Sequence, residues 1–369
     1  MKLTVLQENL KNAVTITSHF ISPKAQLPIL GNILIKTDKS KLILSSTNLE
    51  TSVSTSIGAK VEKEGEITVP GRIFSDVISN LSSGTIEIEV EKEQIKITSG
   101  TFKSNILGVN SSDFPIIPNS IGKNSLTLPK NKFLEGLNKT LFAVSTDETR
   151  PVLTGILFVF KGKNLHLVST DGFRLSQKTI KLEKEFEDQK IIVPKTILLE
   201  ISKLGSSDDI SFSFSKKDNQ IVFVSGETVF SSRVIEGEYP DFEKILPKSS
   251  VLNVLIDKED FEKAVKLASV FSRDAGNILK LSIDKNTLKV IAESSTSGNQ
   301  ETNLEVKVEK KSEFDGGVEI SFNYRFIEEV LRVISSDDIL IEFGGPNTPG
   351  KFIDNKDTDF LHLIMPIKT

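Results

Sequence analysis

Apolar and polar residues alternate along several short segments of the chain. In residues 86–91 isoleucine or valine alternates with glutamate, and in residues 210–214 isoleucine or phenylalanine alternates with serine. A period of two places every second side chain on the same face of a strand. Each such strand has one buried face and one solvated face, which is typical of an antiparallel sheet covered on one side.

Other segments place apolar residues about three or four positions apart, a spacing that predicts helices with one buried face. These residues are Leu10, Val14, Ile16 and Phe20 in the first third of the chain, Phe133, Leu137, Leu141 and Phe142 in the second, and Phe261, Val265, Leu267 and Val270 in the last. Pro129 and Asp257 precede the second and third of these segments, and both residue types favour a helix start.

The same order of elements occurs three times. Similar hairpin segments begin at Asn32, Gly155 and Asn277, which are 123 and 122 residues apart. A repeat of this length is domain-sized, unlike the short repeats of ankyrin or TPR proteins. The chain therefore contains three copies of one folding unit.

A second set of similar segments runs from helix to strand and begins at Val69, Val193 and Ser321. We predict an α+β fold of three repeated domains, each an antiparallel sheet with two helices on one face. The expected limits are 1–121, 122–249 and 250–369. The joints are short and polar, so we expect the domains to keep a fixed relation.

Composition narrows the function class. Of 369 residues, 38% are hydrophobic and 26% are charged, as in ordinary globular proteins. The chain has no cysteine, which excludes disulfides, thiolate metal ligands and a cysteine nucleophile. The N-terminus lacks the apolar core of a signal peptide, and no stretch is long and apolar enough to span a membrane, so we expect a cytoplasmic protein.

The sequence argues against an enzyme. It contains no P-loop, dinucleotide-binding, HExxH or GxSxG motif, and its three histidines are scattered. The pairs Asp208–Asp209 and Asp337–Asp338 could suggest a carboxylate-dependent hydrolase. Both pairs lie in an SSDDI segment where a helix gives way to a strand, and turn formation explains them better. We predict no cofactor and no metal.

One basic residue recurs at the same place in every repeat. Arg72, Lys195 and Arg325 each lie in the first turn of the second helix, where the helix dipole favours an acid. A single lysine or arginine there would indicate only a solvated helix face. Three equivalent cations suggest a polyanion nearby, and the phosphates of duplex DNA fit because they can be bound without sequence readout.

Five strings carry a resemblance over essentially the full length: LPILGNILIK at 27–36, ETRPVLTGILF at 148–158, STDGFRLS at 169–176, EYPDFEKILP at 238–247 and the final LIMPIKT. Together, in this order, they resemble the bacterial replication sliding clamp, the beta subunit of DNA polymerase III. The resemblance implies a non-catalytic, head-to-tail homodimer whose six domains form a closed ring around double-stranded DNA. It also implies three kinds of partner: the clamp loader, the replicative polymerase and other proteins with a clamp-binding motif.

The resemblance implies three sets of residues. The DNA-binding set is Lys24, Arg72, Arg150, Lys195 and Arg325. The dimer set pairs Leu81 and Ile106 of one subunit with Val270 and Phe271 of the other. The partner-peptide pocket comprises Thr170, Gly172, Arg174, Leu175, Pro240, Lys244, Ile245, Leu363, Ile364, Met365, Pro366 and Ile367, with Arg174 and Lys244 expected to hold an acidic group of the peptide.

The chain departs from the family pattern at three places. Pro151 and Val152 stand where some clamps carry two tyrosines, Lys244 replaces a common arginine, and Phe173 replaces a polar residue. Two alternatives stay open. The protein could be a monomeric scaffold or binding protein built from the same triplicated domain, and the apolar residues assigned to the dimer and the pocket could be ordinary core.

Overall fold

The computed structural model describes residues 1–122, 124–205, 208–247, 249–310 and 317–368. Predictions that involve Lys123, Ser206, Ser207, Lys248 and Thr369 lie outside these residues. By internal contacts the chain divides into two compact units. Unit 1 contains 1–130 and 196–234, and unit 2 contains 131–195 and 235–369.

The described residues form six α-helices, two in each predicted repeat. They are α1 (Gln7–Ser18), α2 (Gly71–Asn80), α3 (Lys130–Asn138), α4 (Lys195–Ser202), α5 (Lys258–Ser272) and α6 (Tyr324–Val333). The predicted helices are present, but α1 ends before Phe20 and α3 ends before Leu141. Leu141 begins a short 3-10 helix instead.

Unit 1 contains two antiparallel sheets. In spatial order, the five-stranded sheet is β5 (Lys60–Lys63), β1 (Lys2–Leu6), β7 (Thr85–Glu91), β8 (Gln94–Ser99) and β9 (Phe102–Leu107). The eight-stranded sheet is β10 (Ser125–Leu128), β15 (Ile210–Ser215), β16 (Gln220–Ser225), β17 (Thr228–Arg233), β4 (Thr51–Gly58), β3 (Lys41–Thr47), β2 (Asn32–Asp38) and β6 (Glu66–Pro70).

Unit 2 also contains two antiparallel sheets. The nine-stranded sheet is β14 (Gln189–Pro194), β11 (Gly155–Lys161), β12 (Asn164–Thr170), β13 (Arg174–Lys181), β26 (Asp357–Ile364), β25 (Gly350–Asp354), β24 (Asp338–Phe343), β18 (Leu252–Asp257) and β22 (Lys307–Lys310). The four-stranded sheet is β21 (Gly298–Glu305), β20 (Thr287–Ser294), β19 (Ile278–Asp284) and β23 (Val318–Asn323).

The α+β class with antiparallel sheets is confirmed, but the sheets differ from the prediction in one respect. Alternation predicted one sheet per repeat, whereas the strands of each repeat divide between two sheets. Two sheets also continue from one repeat into the next, through the pairing of β4 with β17 and of β13 with β26. Backbone hydrogen bonds across these two seams hold neighbouring repeats together.

The alternating faces are buried as predicted. Ile86 and Ile88 are fully buried, and Phe212 is nearly so. Ser213 breaks the pattern because it is also buried, and its hydroxyl accepts a hydrogen bond from the backbone N–H of Gly122 at 2.9 Å. A buried hydroxyl needs such a partner.

The helices supply the centre of each core. In unit 1, Leu10 and Val14 of α1 pack with Phe74 of α2 in a cluster formed with strand residues. In unit 2, Phe261 of α5 and Ile327 of α6 belong to a core cluster that also contains strand residues. Burying an apolar side chain of this size contributes about 1.5–3 kcal/mol.

Matching hydrogen bonds confirm the 123-residue repeat. The hydroxyl of Ser46 donates to the carbonyl of Thr17 at 2.6 Å, and that of Ser169 donates to the carbonyl of Thr140, also at 2.6 Å. Each member of the second pair lies 123 positions after its counterpart. The same tertiary contact therefore forms in two repeats.

Candidate functional site

A mostly apolar groove of about 410 Å³ lies beside the seam of β13 and β26 in unit 2. We call it the β13–β26 groove. It is lined by Arg150, Val152, Leu153, Thr170, Gly172, Arg174, Leu175, Pro240, Asp241, Phe242, Ile245, Leu363 and Met365. Eight residues of the predicted pocket are in this set. Lys244, Ile364, Pro366 and Ile367 are not in the lining.

A tight turn before β13 shapes one wall of the groove. The carboxylate of Asp171 accepts the N–H groups of Phe173 at 2.9 Å and Arg174 at 3.1 Å, and the hydroxyl of Thr170 accepts that of Gly172 at 3.0 Å. Gly172 has φ +94°, a conformation that costs glycine little and other residues much. A side chain at this position would also approach the guanidinium of Arg150, 3.1 Å from a Cβ.

The C-terminal segment closes the groove. Leu363 pairs with Leu175 across the seam, and the backbone N–H of Met365 donates to the carbonyl of Phe173 at 2.8 Å. Leu363 is buried, whereas Met365 remains 37% exposed. A flexible thioether at the mouth can adapt to different bound side chains. Ile367 lies beyond the groove, where its N–H donates to the carbonyl of Ser321 at 2.8 Å.

Arg174 lines the groove but is largely buried and paired within the chain. It is only 8% exposed, and its guanidinium is ion-paired with Glu329 and donates to Asp171 at 3.0 Å and to the carbonyl of Phe142 at 2.6 Å. It also lies 4.4 Å from the ring centre of Phe326. Two carboxylates of the chain, Asp171 and Glu329, therefore already pair with this cation, and its expected contact with an acidic group of a peptide stays a prediction. Arg174 holds the groove wall in place.

Lys244 lies outside the groove. Its side chain is 81% exposed and is ion-paired with Asp241 at 3.0 Å. Besides Arg174, the basic residue in the groove lining is Arg150, which the resemblance assigned to DNA. Its side chain is 48% exposed, and it donates to Asp147 at 3.2 Å and to the carbonyl of Asp171 at 3.3 Å.

Sequence reasoning missed several lining residues. Val152 and Leu153 lie in a 3-10 helix that begins at Pro151, and Phe242 begins another. Phe242 is buried, in a cluster with Leu175 and Leu363. Apolar residues one or two positions after a proline, as in PVL and PDF, were the available signal.

Tyr239 lies next to these residues, in the same cluster. Burial raises the pKa of its hydroxyl well above the ordinary value, and among the described residues this hydroxyl has no hydrogen-bond partner. The phenol is therefore neutral at physiological pH.

The β4–β17 seam of unit 1 has the same backbone arrangement as the β13–β26 seam but lacks the apolar residues at its base. The N–H of Arg233 donates to the carbonyl of Glu50 at 2.9 Å, just as Met365 bonds to Phe173. The positions of Leu175 and Leu363 are occupied by Ser52 and Ser231, whose buried hydroxyls are hydrogen-bonded at 2.6 Å. The backbone arrangement is repeated, but at these two positions unit 1 has hydroxyl groups where unit 2 has leucine side chains.

The recurring cations lie in the first helical turns, as predicted. Arg72 and Arg325 are exposed at the starts of α2 and α6. Lys195 begins α4 but is half-buried; burial and then the charge of Arg174 lower its pKa, while Glu329 opposes the shift. Lys24 is exposed in a turn after α1. Lys24 and Arg72 belong to unit 1, and the other three belong to unit 2.

The dimer set divides into core and surface residues. Ile106 is 5% exposed and Leu81 is half-buried, and both belong to the core cluster of unit 1. The outward side chain of β9 is Leu107, at 69% exposure. In unit 2 Val270 of α5 is 58% exposed, whereas Phe271 packs against the core. Ile106 is thus mostly covered within the single chain, and its neighbour Leu107 is the more exposed side chain at the end of β9. The dimer set stays a prediction.

The described residues contain no group of side chains suited to a metal ion and no helix long and apolar enough to cross a membrane. Asp208 and Asp337 lie in bends between a helix and a strand, as predicted, and Asp337 is ion-paired with Lys356 at 3.0 Å. The carboxylate of Asp337 thus belongs to a surface ion pair.

Comparisons with known proteins agree along the whole chain. Family models for the DNA polymerase III beta subunit match its N-terminal domain at residues 1–118, its central domain at 127–241 and its C-terminal domain at 243–368. The beta sliding clamp of Staphylococcus epidermidis is 31% identical over 379 residues, with full coverage of both chains.

Solved structures give the same result. The sliding clamp of Bacillus subtilis has a TM-score of 0.93 at 25% identity, covering 100% of this chain and 99% of that one. The clamp of Bartonella birtlesii, solved bound to griselimycin, has a TM-score of 0.92 at 28% identity with full coverage of both chains. The chain therefore belongs to the beta sliding clamp family and is a non-catalytic processivity subunit of the DNA polymerase III holoenzyme.

Proposed function

We propose that two copies of the chain join head to tail into a closed ring around double-stranded DNA. The triplicated domain supports this proposal, since two chains of three similar domains can close a ring of six. The dimer contact would join the β9 edge, with Leu107, to the surface of α5 that carries Val270. Each of these side chains is more than half exposed in the single chain.

A ring explains how a net acidic protein can hold DNA. The formal charge is −4, and nonspecific phosphate binding typically gives dissociation constants of only about 10⁻⁴ to 10⁻⁶ M. Topology retains the DNA where affinity alone would not. Lys24, Arg72, Arg150, Lys195 and Arg325 are the proposed phosphate contacts, with Arg72 and Arg325 the most accessible on their helices.

We infer that the β13–β26 groove binds a short linear peptide of the clamp loader, the replicative polymerase and other clamp-binding proteins. The observation that carries this proposal is an apolar floor, Leu175 and Leu363, beside an adaptable mouth, Met365. Pockets of this kind take alternate apolar side chains of a peptide. Arg174 in the lining, and the exposed Lys244, which is ion-paired with the lining residue Asp241, are the basic groups proposed to meet an acidic residue of the peptide.

The test of the ring is retention on DNA of different topology. The loaded protein should stay on a nicked circular plasmid and be lost when the plasmid is linearised. Equal loss from both forms would contradict encirclement. Light scattering should give a dimer at micromolar concentration, and a monomer would favour the alternative of a scaffold protein. We place this activity in the cytoplasm.

The test of the groove is deletion of residues 365–369. Polymerase and loader binding should be abolished while the dimer persists, because the deleted segment closes the groove and contains no residue of the proposed dimer contact. Peptide binding that survived the deletion would refute the assignment.

A further inference from the structure

A second cavity, of about 610 Å³, lies in unit 1 beside α1 and α4. Its walls combine apolar groups, Ile16, Leu204 and Phe230, with carboxylates. Phe230 is buried at the base, and Ile16 is half-buried. The β13–β26 groove belongs to unit 2 and shares no residue with this cavity. A function of the unit 1 cavity therefore does not depend on the function proposed for the β13–β26 groove.

The chain itself shows what fills the equivalent place in the next repeat. The 123-residue shift that relates Thr17 to Thr140 also relates Ile16 to Lys139. Lys139 is only 3% exposed, and its ammonium group donates to Asp354 at 3.2 Å and to Asp357 at 2.5 Å. A lysine side chain therefore occupies in unit 2 the position that Ile16 leaves open in unit 1.

The acids of unit 2 form a closed network around that lysine. Lys178 bonds to both oxygens of Asp357 at 2.5 and 2.6 Å and is ion-paired with Glu135 at 3.1 Å. Burial by itself would raise the pKa of Asp357, but hydrogen bonds from Lys139 and Lys178 hold it below its ordinary value. Every charge in the network has a partner of opposite sign, as buried charges require.

The seams establish which residues of unit 1 correspond to this network. Thr55 pairs with Thr228 in the first seam, and Lys178 pairs with Phe360 in the second. Thr55 lies 123 positions before Lys178, so their seam partners, Thr228 and Phe360, also correspond. Ser225 and Asp357 each lie three positions before these partners and therefore correspond to each other. Unit 1 thus has Ile16, Thr55 and Ser225 where unit 2 has Lys139, Lys178 and Asp357. The shorter side chains of unit 1 leave the cavity.

The cavity of unit 1 keeps an excess of negative charge from other residues. Its lining contains three carboxylates, those of Glu200, Asp208 and Glu227, and one lysine, Lys203. Glu200 accepts hydrogen bonds from His19 at 2.6 Å and from Lys203 at 2.7 Å.

The other two carboxylates differ in their partners. Glu227 is ion-paired with Lys41 at 2.6 Å. Among the described residues, the carboxylate of Asp208 has no ion-pair partner. One carboxylate of the lining is thus uncompensated, and it is free to meet a cation.

We propose that this cavity receives the side chain of a lysine from a partner protein. The alkyl chain would lie against Ile16, Leu204 and Phe230, and the ammonium group would reach Asp208 and Glu227. The equivalent lysine of unit 2 is the internal template for this arrangement. The site takes a primary ammonium on an unbranched chain and disfavours a neutral or acidic group.

The first experiment uses n-butylammonium, which reproduces the lysine side chain, and n-butanol as its neutral match. Methyl NMR of the full-length dimer follows the signals of Ile16 and Leu204 during titration at low salt. A charge-assisted hydrogen bond at a partly exposed site should make the ammonium bind about tenfold more tightly than the alcohol. Equal affinities, or no shift with either compound, would overturn the proposal.

Two matched variants locate the site. Asp208→Asn should reduce the preference for the ammonium about threefold, the effect of a screened carboxylate, while Asp209→Asn, on an exposed neighbour outside the lining, should leave it unchanged. Ile16→Lys should abolish binding, read at Leu204, because the chain then supplies its own ammonium. Binding that is insensitive to Asp208→Asn would refute the site even if Ile16→Lys failed to fold.

A peptide arm tests the source of the ammonium. A blocked Gly-Gly-Lys-Gly-Gly peptide should shift the same methyl signals, and its acetyl-lysine counterpart should not. Binding of butylammonium without binding of the lysine peptide would exclude a partner side chain as the occupant.

Discussion

The buried guanidinium of Arg174 is ion-paired with the carboxylate of Glu329, and this contact joins the groove strand β13 to helix α6. An equivalent contact occurs in the preceding repeat, where Glu200 of α4 accepts a hydrogen bond from His19 at 2.6 Å. Glu200 and Glu329 occupy the same position relative to the SSDDI segments. The second helix of a repeat is thus tied by a glutamate to the repeat before it.

Replacing Arg174 should destabilise the protein. Arg174→Met removes the partner of Glu329 and of Asp171, and we expect a loss of about 2 kcal/mol, since Glu329 is partly exposed and can be resolvated. Thermal unfolding measures the change. Lys244→Met is the matched control, because its ion pair is exposed and should contribute under about 0.5 kcal/mol. Similar effects of the two variants would contradict the structural role of Arg174.

The mouth of the groove should control peptide affinity. Met365→Ala removes a partly exposed apolar side chain without opening the core, and we expect about tenfold weaker binding of a labelled peptide from the clamp-contacting segment of the polymerase. Fluorescence anisotropy gives the affinity. Lys368→Ala alters a neighbouring exposed residue outside the lining and should bind as the parent protein does. An unchanged affinity for Met365→Ala would remove Met365 from the site.

The dimer contact should depend on the outward residue of β9. Leu107→Asp places a charge on an exposed apolar position at a strand edge, and we expect the dimer to dissociate into folded monomers. Light scattering reports the mass. Ile116→Asp makes the same substitution at a fully exposed residue away from β9 and should leave the dimer intact. A dimer that tolerates Leu107→Asp would place the interface elsewhere.

The exposed helix-start arginines should contribute to DNA binding through charge alone. Arg72→Ala and Arg325→Ala should each weaken binding to every sequence alike and lower the salt dependence by about one phosphate contact. The measurement is affinity for a short duplex at several salt concentrations. Lys217→Ala, in an exposed turn between β15 and β16, is the control. If the slope of log affinity against log salt concentration is the same in both arginine variants as in the parent protein, these phosphate contacts are contradicted.

Stability should fall in mild acid because of His362. This side chain is fully buried, and burial, with the nearby charge of Arg174, lowers its pKa well below the ordinary value. Below pH 6.5 the unfolded chain takes up a proton at His362 that the folded chain does not. The contribution of neutral His362 to the free energy of unfolding is therefore complete above pH 6.5 and is lost as pH falls. At pH 5.5 the loss is on the order of 1 kcal/mol.

The variant His362→Asn tests this assignment. Its unfolding free energy should change less between pH 7.5 and 5.5 than that of the parent, because asparagine keeps a group for the hydroxyl of Ser176, 2.6 Å from Nδ1, but does not titrate. His166→Asn should have a smaller effect, since His166 is only half-buried, although burial lowers its pKa too. A parent and variant with the same pH dependence would exclude His362 as the cause.

Local pattern was enough to predict the helices, the alternating strands and the threefold repeat. Residues 86–91 alternate, and Ile86 and Ile88 are buried because a strand has a fixed period of two. The first-turn positions of Arg72, Lys195 and Arg325 also follow from sequence, since helix starts are set by neighbouring residues. Eight pocket residues were assigned correctly to the lining because the turn at Gly172 and the final strand have recognisable strings.

Contacts over long separations decided the rest. Ile106 and Leu107 are adjacent apolar residues, and only the packing of β9 on the core determines which one faces outward. Arg174 meets Glu329 across 155 positions, so nothing near it in the sequence indicates that its charge is already neutralised. The sequence by itself determined the repeated elements and the family. Tertiary structure decided which cations are free, which sheets cross between repeats and which repeat leaves a cavity, because burial and charge pairing depend on residues that meet only in the folded chain.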